Sequence, residues 1–93
     1  MAVAAALQTP TTASVSSSAS SVNLFAANRA NGRVIFNDST AVLYVKFGAT
    51  ASTSDYTVQI AAGGYYEFPL PTYNGNVDGI WASANGAARV TSW

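Results

Sequence analysis

The chain contains no cysteine and no histidine. The first absence removes disulfides, thiolate nucleophiles and thiolate metal ligands. The second removes any serine–histidine dyad and any imidazole ligand. Charge is scarce too. There are four Lys+Arg and four Asp+Glu, so the formal net charge is zero and 9% of residues are charged, against about 25% in typical soluble domains. The four cations, Arg29, Arg33, Lys46 and Arg89, are too few for a track along a phosphate backbone, so nucleic acid is not an expected partner. No run approaches the roughly 18 apolar residues of a membrane-spanning helix, and no membrane partner is expected. The opening MAVAAALQTPTTA has a short apolar run but no basic flank, so a cleaved leader is not expected.

The acidic residues are Asp38, Asp55, Glu67 and Asp78. A glycosidase needs two carboxylates facing each other across a cleft. Asp38 sits in a stretch that reads as a turn, where it would cap its own backbone. Asp55 reads as the start of a strand, and Glu67 and Asp78 as partners for Lys or Arg. A serine–lysine arrangement would have to use Lys46, which falls inside a strand pattern and reads as an outward side chain. Gly63-Gly64 belongs to no phosphate-loop motif. Asn37-Asp38-Ser39 matches a glycosylation acceptor, a common chance match in turns. The expectation is therefore no enzyme, no cofactor and no metal.

What the chain does have is β-pattern. Ala41–Phe47 (AVLYVKF) places Leu43, Val45 and Phe47 on one side and Val42, Tyr44 and Lys46 on the other, as a central strand would. Asp55–Ala61 alternates, with Tyr56, Val58 and Ile60 inward. Val22–Phe25, Arg33–Phe36, Tyr65–Leu70, Val77–Ser83 and Ala87–Trp93 complete the set. Tyr66, Phe68 and Leu70 should share a face, and Pro69 marks an edge strand or its end. Asn37–Thr40 (NDST) reads as a turn, Gly63-Gly64 as a tight turn, Gly79 as a bulge and Asn85-Gly86 as a hairpin. About seven short strands at spacings near ten residues predict an all-β fold: a small antiparallel β-sandwich, jelly roll or barrel.

Ahead of these strands lies a Ser-, Thr- and Ala-rich stretch. It reads as an extended low-complexity arm over residues 1–21, preceding a β-domain over residues 22–93. A helix over Met1–Gln8 is compatible with its composition but too short to stand alone. Ordering about 20 arm residues costs on the order of 20–40 kcal/mol of backbone entropy. An arm could recover that by lying along a neighbouring subunit and adding a strand to a sheet edge. Val3, Leu7, Val15 and Val22 are spaced as apolar anchors for such a contact. Tyr65, Tyr66, Tyr73, Trp81 and Trp93 are candidates for core or interface packing, or alternatively for a sugar-stacking platform.

From about residue 15 onward the chain resembles a group of short proteins common in tailed-bacteriophage genomes. The resemblance is carried by the LFAAN run, the IFNDSTAVLYVKFGATAS block, the IAAGGYYEFP block and the DGIWASANGAARVT ending. It implies a small virion structural protein, most like a capsid decoration, or cement, protein on the head surface. The partners it implies are the major capsid protein and further copies of itself, as a homotrimer. The alternatives are another virion position (head–tail connector, tail accessory or fibre-base component) or a carbohydrate-binding module displayed on the virion.

Overall fold

The computed structural model describes residues 9–93. Their ordered elements are all strands: β1 (Thr11–Ser16), β2 (Val22–Phe25), β3 (Arg33–Ser39), β4 (Leu43–Phe47), β5 (Val58–Ile60), β6 (Tyr65–Glu67), β7 (Val77–Trp81) and β8 (Gly86–Ser92). Strands β1, β2, β3 and β4 pair antiparallel with β8, β7, β6 and β5 respectively. The first half of the chain thus runs as a ribbon against the second half. Pairing of β3 with β8 and of β4 with β7 folds that ribbon into two four-stranded sheets, β1-β8-β3-β6 and β2-β7-β4-β5. This winding is an eight-stranded jelly roll. The all-β expectation holds, in its two-sheet form and not as a closed barrel.

The core lies between the sheets. Ile35, Ala88 and Val90 point inward from one, and Leu24, Leu43, Val45, Val77 and Trp81 from the other. β4 behaves as its alternation predicts: Leu43 and Val45 are fully buried, and the strand lies between β7 and β5. On the opposite face of β4, Tyr44 meets Tyr56 edge-on at 5.0 Å. At one end of the core Phe47 stacks between Phe68 and Tyr73, each ring centroid 4.9 Å away.

Four local readings change. First, β3 does not stop before NDST but runs through Ser39. The Asn37 side chain turns into the core and donates to the carbonyls of Ala41 and Ile60 at 2.8 and 2.9 Å. Its turn-forming capacity is spent on tertiary partners instead. Second, Asn85-Gly86 does not close a hairpin, because β7 and β8 belong to different sheets. The pair forms the corner where the chain changes sheets. Gly86 sits there at φ 116°, against the backbone of Asp38 and Ser39, where a Cβ would collide. Asn85 caps the other side of the corner by accepting from the Thr40 amide at 3.0 Å. Third, Gly79 is not the bulge. The register shift lies on β2 between Asn23 and Phe25, opposite Asp78 and Val77, whereas Gly79 pairs regularly with Val22. A Cβ at Gly79 would lie 2.7 Å from Leu24 Cδ1, so the position is small because another side chain crosses it.

Fourth, the sheets begin at Thr11, not at Val22. Residues 11–16 of the stretch read as an arm pair residue by residue with β8 of the same chain, from Thr11 opposite Ser92 to Ser16 opposite Ala87. Val15 packs against the chain's own core. The helix considered for Met1–Gln8, and the anchors Val3 and Leu7, lie outside the described residues.

Candidate functional site

Strand alternation sets which side chains of the β1-β8-β3-β6 sheet face away from the core. Ile35 and Asn37 are buried, so Val34, Phe36 and Asp38 point outward. Ala88 and Val90 are buried, so Arg89 and Thr91 point outward. On β6, Tyr66 packs inward beside Phe68 at 5.5 Å, so Tyr65 and Glu67 point outward. Cross-strand register then builds the surface. Phe36 stands between Tyr65 on β6 and Arg89 on β8, and Val34 stands opposite Glu67. Phe36 is 38% exposed and Tyr65 70%.

At one end this face opens into a cleft of about 640 Å³ lined by Asn31, Gly32, Glu67, Pro69, Leu70 and Trp93, with Phe68 at its base. Trp93 extends the β8 ladder: its N–H donates to Gly32 O at 3.1 Å and its carbonyl accepts from Gly32 N at 3.2 Å. The indole lies across Gly32, which has no side chain to obstruct it. Leu70 departs from the sequence expectation. Its spacing places it on one face with Tyr66 and Phe68, yet it is 78% exposed. The last ladder bond runs from Phe68 N to Arg33 O at 3.0 Å. Pro69 has no N–H to continue it, so the chain leaves the sheet and Leu70 is turned to solvent.

The result is an apolar surface of exposed Phe36, Tyr65 and Leu70, flanked by half-buried Val34 and Trp93. Its polar groups lie around it. Arg89 Nε pairs with Asp38 Oδ2 at 3.1 Å, both side chains half exposed or more. Glu67 stands at the cleft and makes no ion pair among the described residues. The remaining acids are spread out. Asp55 pairs with Lys46 at 2.6 Å, and Asp78 accepts from Asn76 Nδ2 at 2.9 Å and Asn23 Nδ2 at 3.3 Å. Asp38 therefore serves an ion pair and not its own turn, and neither Glu67 nor Asp78 takes the Lys or Arg partner expected of it. No group of three potential metal ligands converges among the described residues.

The structure separates the residues singled out in the sequence. Tyr65 and Trp93 reach the outer face. Tyr66 is half-buried on the inner side. Val15 and Val22 pack against the chain's own core. Trp81 cannot contact a partner from the folded chain. It is 1% exposed, and its indole Nε1 donates to Asn37 Oδ1 at 3.1 Å. Phe36 and Leu70 were not singled out. Alternation in RVIF was a usable signal for Phe36, since Ile35 inward forces Phe36 outward.

Next along the chain from Gly32 lies Arg33, buried to 2% exposure without a carboxylate partner among the described residues. Its Nη1 donates to Tyr73 O and Gly75 O, both at 2.8 Å, and its Nη2 to Ala26 O at 3.1 Å and Asn28 O at 3.3 Å. Its guanidinium carbon lies 4.7 Å from the Phe25 ring centre. Burial lowers its pKa from the ordinary arginine value, an effect partly offset by Tyr73. With the charge held among carbonyls and ring faces, Arg33 fastens the loop at residues 26–28 to the loop at residues 73–75. It is a scaffold group and not a reactive one.

No protein-family model matches the chain, and neither a known protein nor a solved structure matches it.

Proposed function

We propose that this chain is an adhesive structural subunit, a bacteriophage capsid decoration protein that docks the outer face of the β1-β8-β3-β6 sheet on the major capsid protein and stabilises the head. The observation that carries the reading is the exposed apolar face itself. Phe36, Tyr65 and Leu70 are large side chains left in water, on a chain whose carboxylates are dispersed and which lacks His and Cys. Contiguous apolar surface of this kind marks an interaction site. Two further points support the reading: the resemblance to short tailed-phage proteins, and the jelly-roll winding, which recurs in viral capsid domains though also in lectins and cupins.

The test is binding to expanded heads that lack decoration. The wild-type protein should cosediment with heads and raise their melting temperature. The double variant Tyr65→Ser, Leu70→Ser should keep the fold's own Tm within a few degrees yet lose head binding by about 100-fold, since each truncation removes a large exposed anchor and hot-spot losses reach 2 kcal/mol or more. Failure of the wild type to bind heads overturns the reading. Hundreds of copies per particle distinguish decoration from a neck or tail position, where six or twelve are expected by symmetry.

A second reading uses the same face. Tyr65 presents an exposed ring two residues from Glu67, beside the Trp93 cleft, an arrangement of aromatic surface and carboxylate that suits a carbohydrate. Glycan-array binding lost in Tyr65→Ala would favour it over shell docking.

A further inference from the structure

Among the described residues, each sheet ends in two edge strands: β1 and β6 in one, β2 and β5 in the other. Three of the four are guarded in ways that oppose further pairing. β5 and β6 are three residues long, and β6 runs directly into Pro69 and Pro71. β2 is four residues long and irregular between Asn23 and Phe25. β1 carries none of these devices within its span, and its one flanking proline, Pro10, lies outside the paired residues. The strand is six residues long, TTASVS, regular against β8, without charge, proline or glycine.

The free side of β1 can be read from its ladder. Ser17 N–H donates to Gly86 O at 3.0 Å, which continues the β1–β8 register as a hydrogen-bonded pair. Bonded and non-bonded pairs alternate in an antiparallel ladder. Val15, Ala13 and Thr11 therefore bond to β8, and the N–H and C=O of Thr12, Ser14 and Ser16 point away from it. The other side of β8 agrees. Asn37 N donates to Gly64 O at 2.8 Å and Phe68 N to Arg33 O at 3.0 Å, which commits the odd residues of β3 to β6 and leaves its even residues for Arg89 and its neighbours on β8.

We propose that a second copy of this chain pairs with this edge, β1 against β1 antiparallel, on a twofold axis at Ser14. The outward-facing groups are symmetric about that residue. Ser14 meets its own counterpart, and Thr12 meets Ser16 of the second copy on either side. Each such pair exchanges two hydrogen bonds, so every outward backbone group of β1 is satisfied at once. The side chains agree with this register. On the inward face Ala13 and Val15 of one copy fall opposite Val15 and Ala13 of the other, placing apolar surface over Ala13, which is exposed in the single chain. The only charge directly opposite β1 is Arg89, across from Ser14 on β8 and already paired with Asp38, so two neutral edges meet without repulsion. This contact is isologous and closes at two copies. It excludes the threefold association that the phage resemblance implies, and it stands whether or not the outer face binds a shell. Because the axis is perpendicular to the sheet, both copies present that face in the same direction, which would make docking bivalent.

Sedimentation of the full chain at micromolar concentration should give a dimer. Ser14→Pro removes an outward N–H and leaves the β8 ladder intact. It should weaken dimerisation by at least about 30-fold, the equivalent of two lost hydrogen bonds, with the strand signal in circular dichroism unchanged. Cysteine cross-linking fixes the register without depending on that variant, since the chain has no cysteine of its own. Ser14→Cys should form an intermolecular disulfide on mild oxidation, because bonded-pair Cα atoms stand about 5.5 Å apart. Thr12→Cys alone should not, because its two copies would be about 14 Å apart; mixed with Ser16→Cys it should. A monomer or a trimer in sedimentation, full dimerisation of folded Ser14→Pro, or self-cross-linking of Thr12→Cys in place of Ser14→Cys would each overturn the proposal.

Discussion

Asn37 stands on β3 in one sheet, and its side chain reaches groups belonging to the other. Its amide nitrogen donates to Ala41 O and Ile60 O, and its amide oxygen accepts from Trp81 Nε1 at 3.1 Å and Ser39 Oγ at 2.7 Å. A buried amide with this many partners costs little to keep and much to remove, because truncation leaves several buried groups unsatisfied. Asn37→Ala should destabilise the fold by about 3 kcal/mol, lowering Tm by about 12–24 °C in a domain of this size. Thermal unfolding followed by tryptophan fluorescence would report it, since the Trp81 indole N–H loses its Asn37 partner. Asn37→Asp should be as damaging, because a buried carboxylate has lost the two donors that Ala41 O and Ile60 O require. Arg33 fills the corresponding place at the other end of β3. Neither residue was legible as a core group from sequence: asparagine before aspartate reads as a turn, and an isolated arginine reads as surface. Their burial depends on loops that return to them from 23 to 42 residues away.

At the scale of the elements, the strands that carry their own apolar alternation were readable and the others were not. β4 and β7 bury alternate residues, and their positions follow from AVLYVKF and VDGIW alone. β1 has only one residue that packs on the core, Val15. Its place in the sheet comes from the ladder on β8, and Ser, Thr and Ala give no periodic signal of that. Asn85-Gly86 misleads for a related reason. The dipeptide fixes a sharp reversal with positive φ, but whether the next strand returns to the same sheet depends on which partner waits for it. Gly86→Ala tests the corner. The new Cβ would meet the Asp38 carbonyl and Ser39 backbone at a φ that L-residues rarely adopt. The expected loss is about 2–3 kcal/mol, read from the urea midpoint at unchanged m-value. The outer apolar face, proposed for docking, was half legible: Tyr65 and Trp93 stood out as aromatics, whereas Leu70 owes its exposure to Pro69 ending the ladder.

For the whole molecule, scarcity of charge decides how it responds to its medium. The described ion pairs, Lys46–Asp55 and Arg89–Asp38, are both at the surface, where such pairs contribute about 0–1 kcal/mol. Stability should therefore change by less than about 1 kcal/mol between 0.05 and 0.5 M NaCl. The proposed shell docking, through an apolar face, should likewise change its dissociation constant by less than about threefold over that range. A steep salt dependence of docking would assign the contact to Glu67 and the Arg89–Asp38 pair instead. Isothermal titration at both salt concentrations, with a negative heat-capacity change as the marker of apolar burial, separates the two.

The pairing of the chain's first half against its second has a consequence for biosynthesis. β4 and β5 are the nearest partners along the chain, and β1 and β8 the most distant, so loop-closure entropy favours zipping from the middle outward. At about 5–20 residues per second of translation, β1 emerges on the order of 4–15 s before β8 exists to receive it. Throughout that interval a nascent chain displays an unpaired strand beside other nascent chains of the same kind on a shared messenger, and the earliest β1 to find a mate need not find its own.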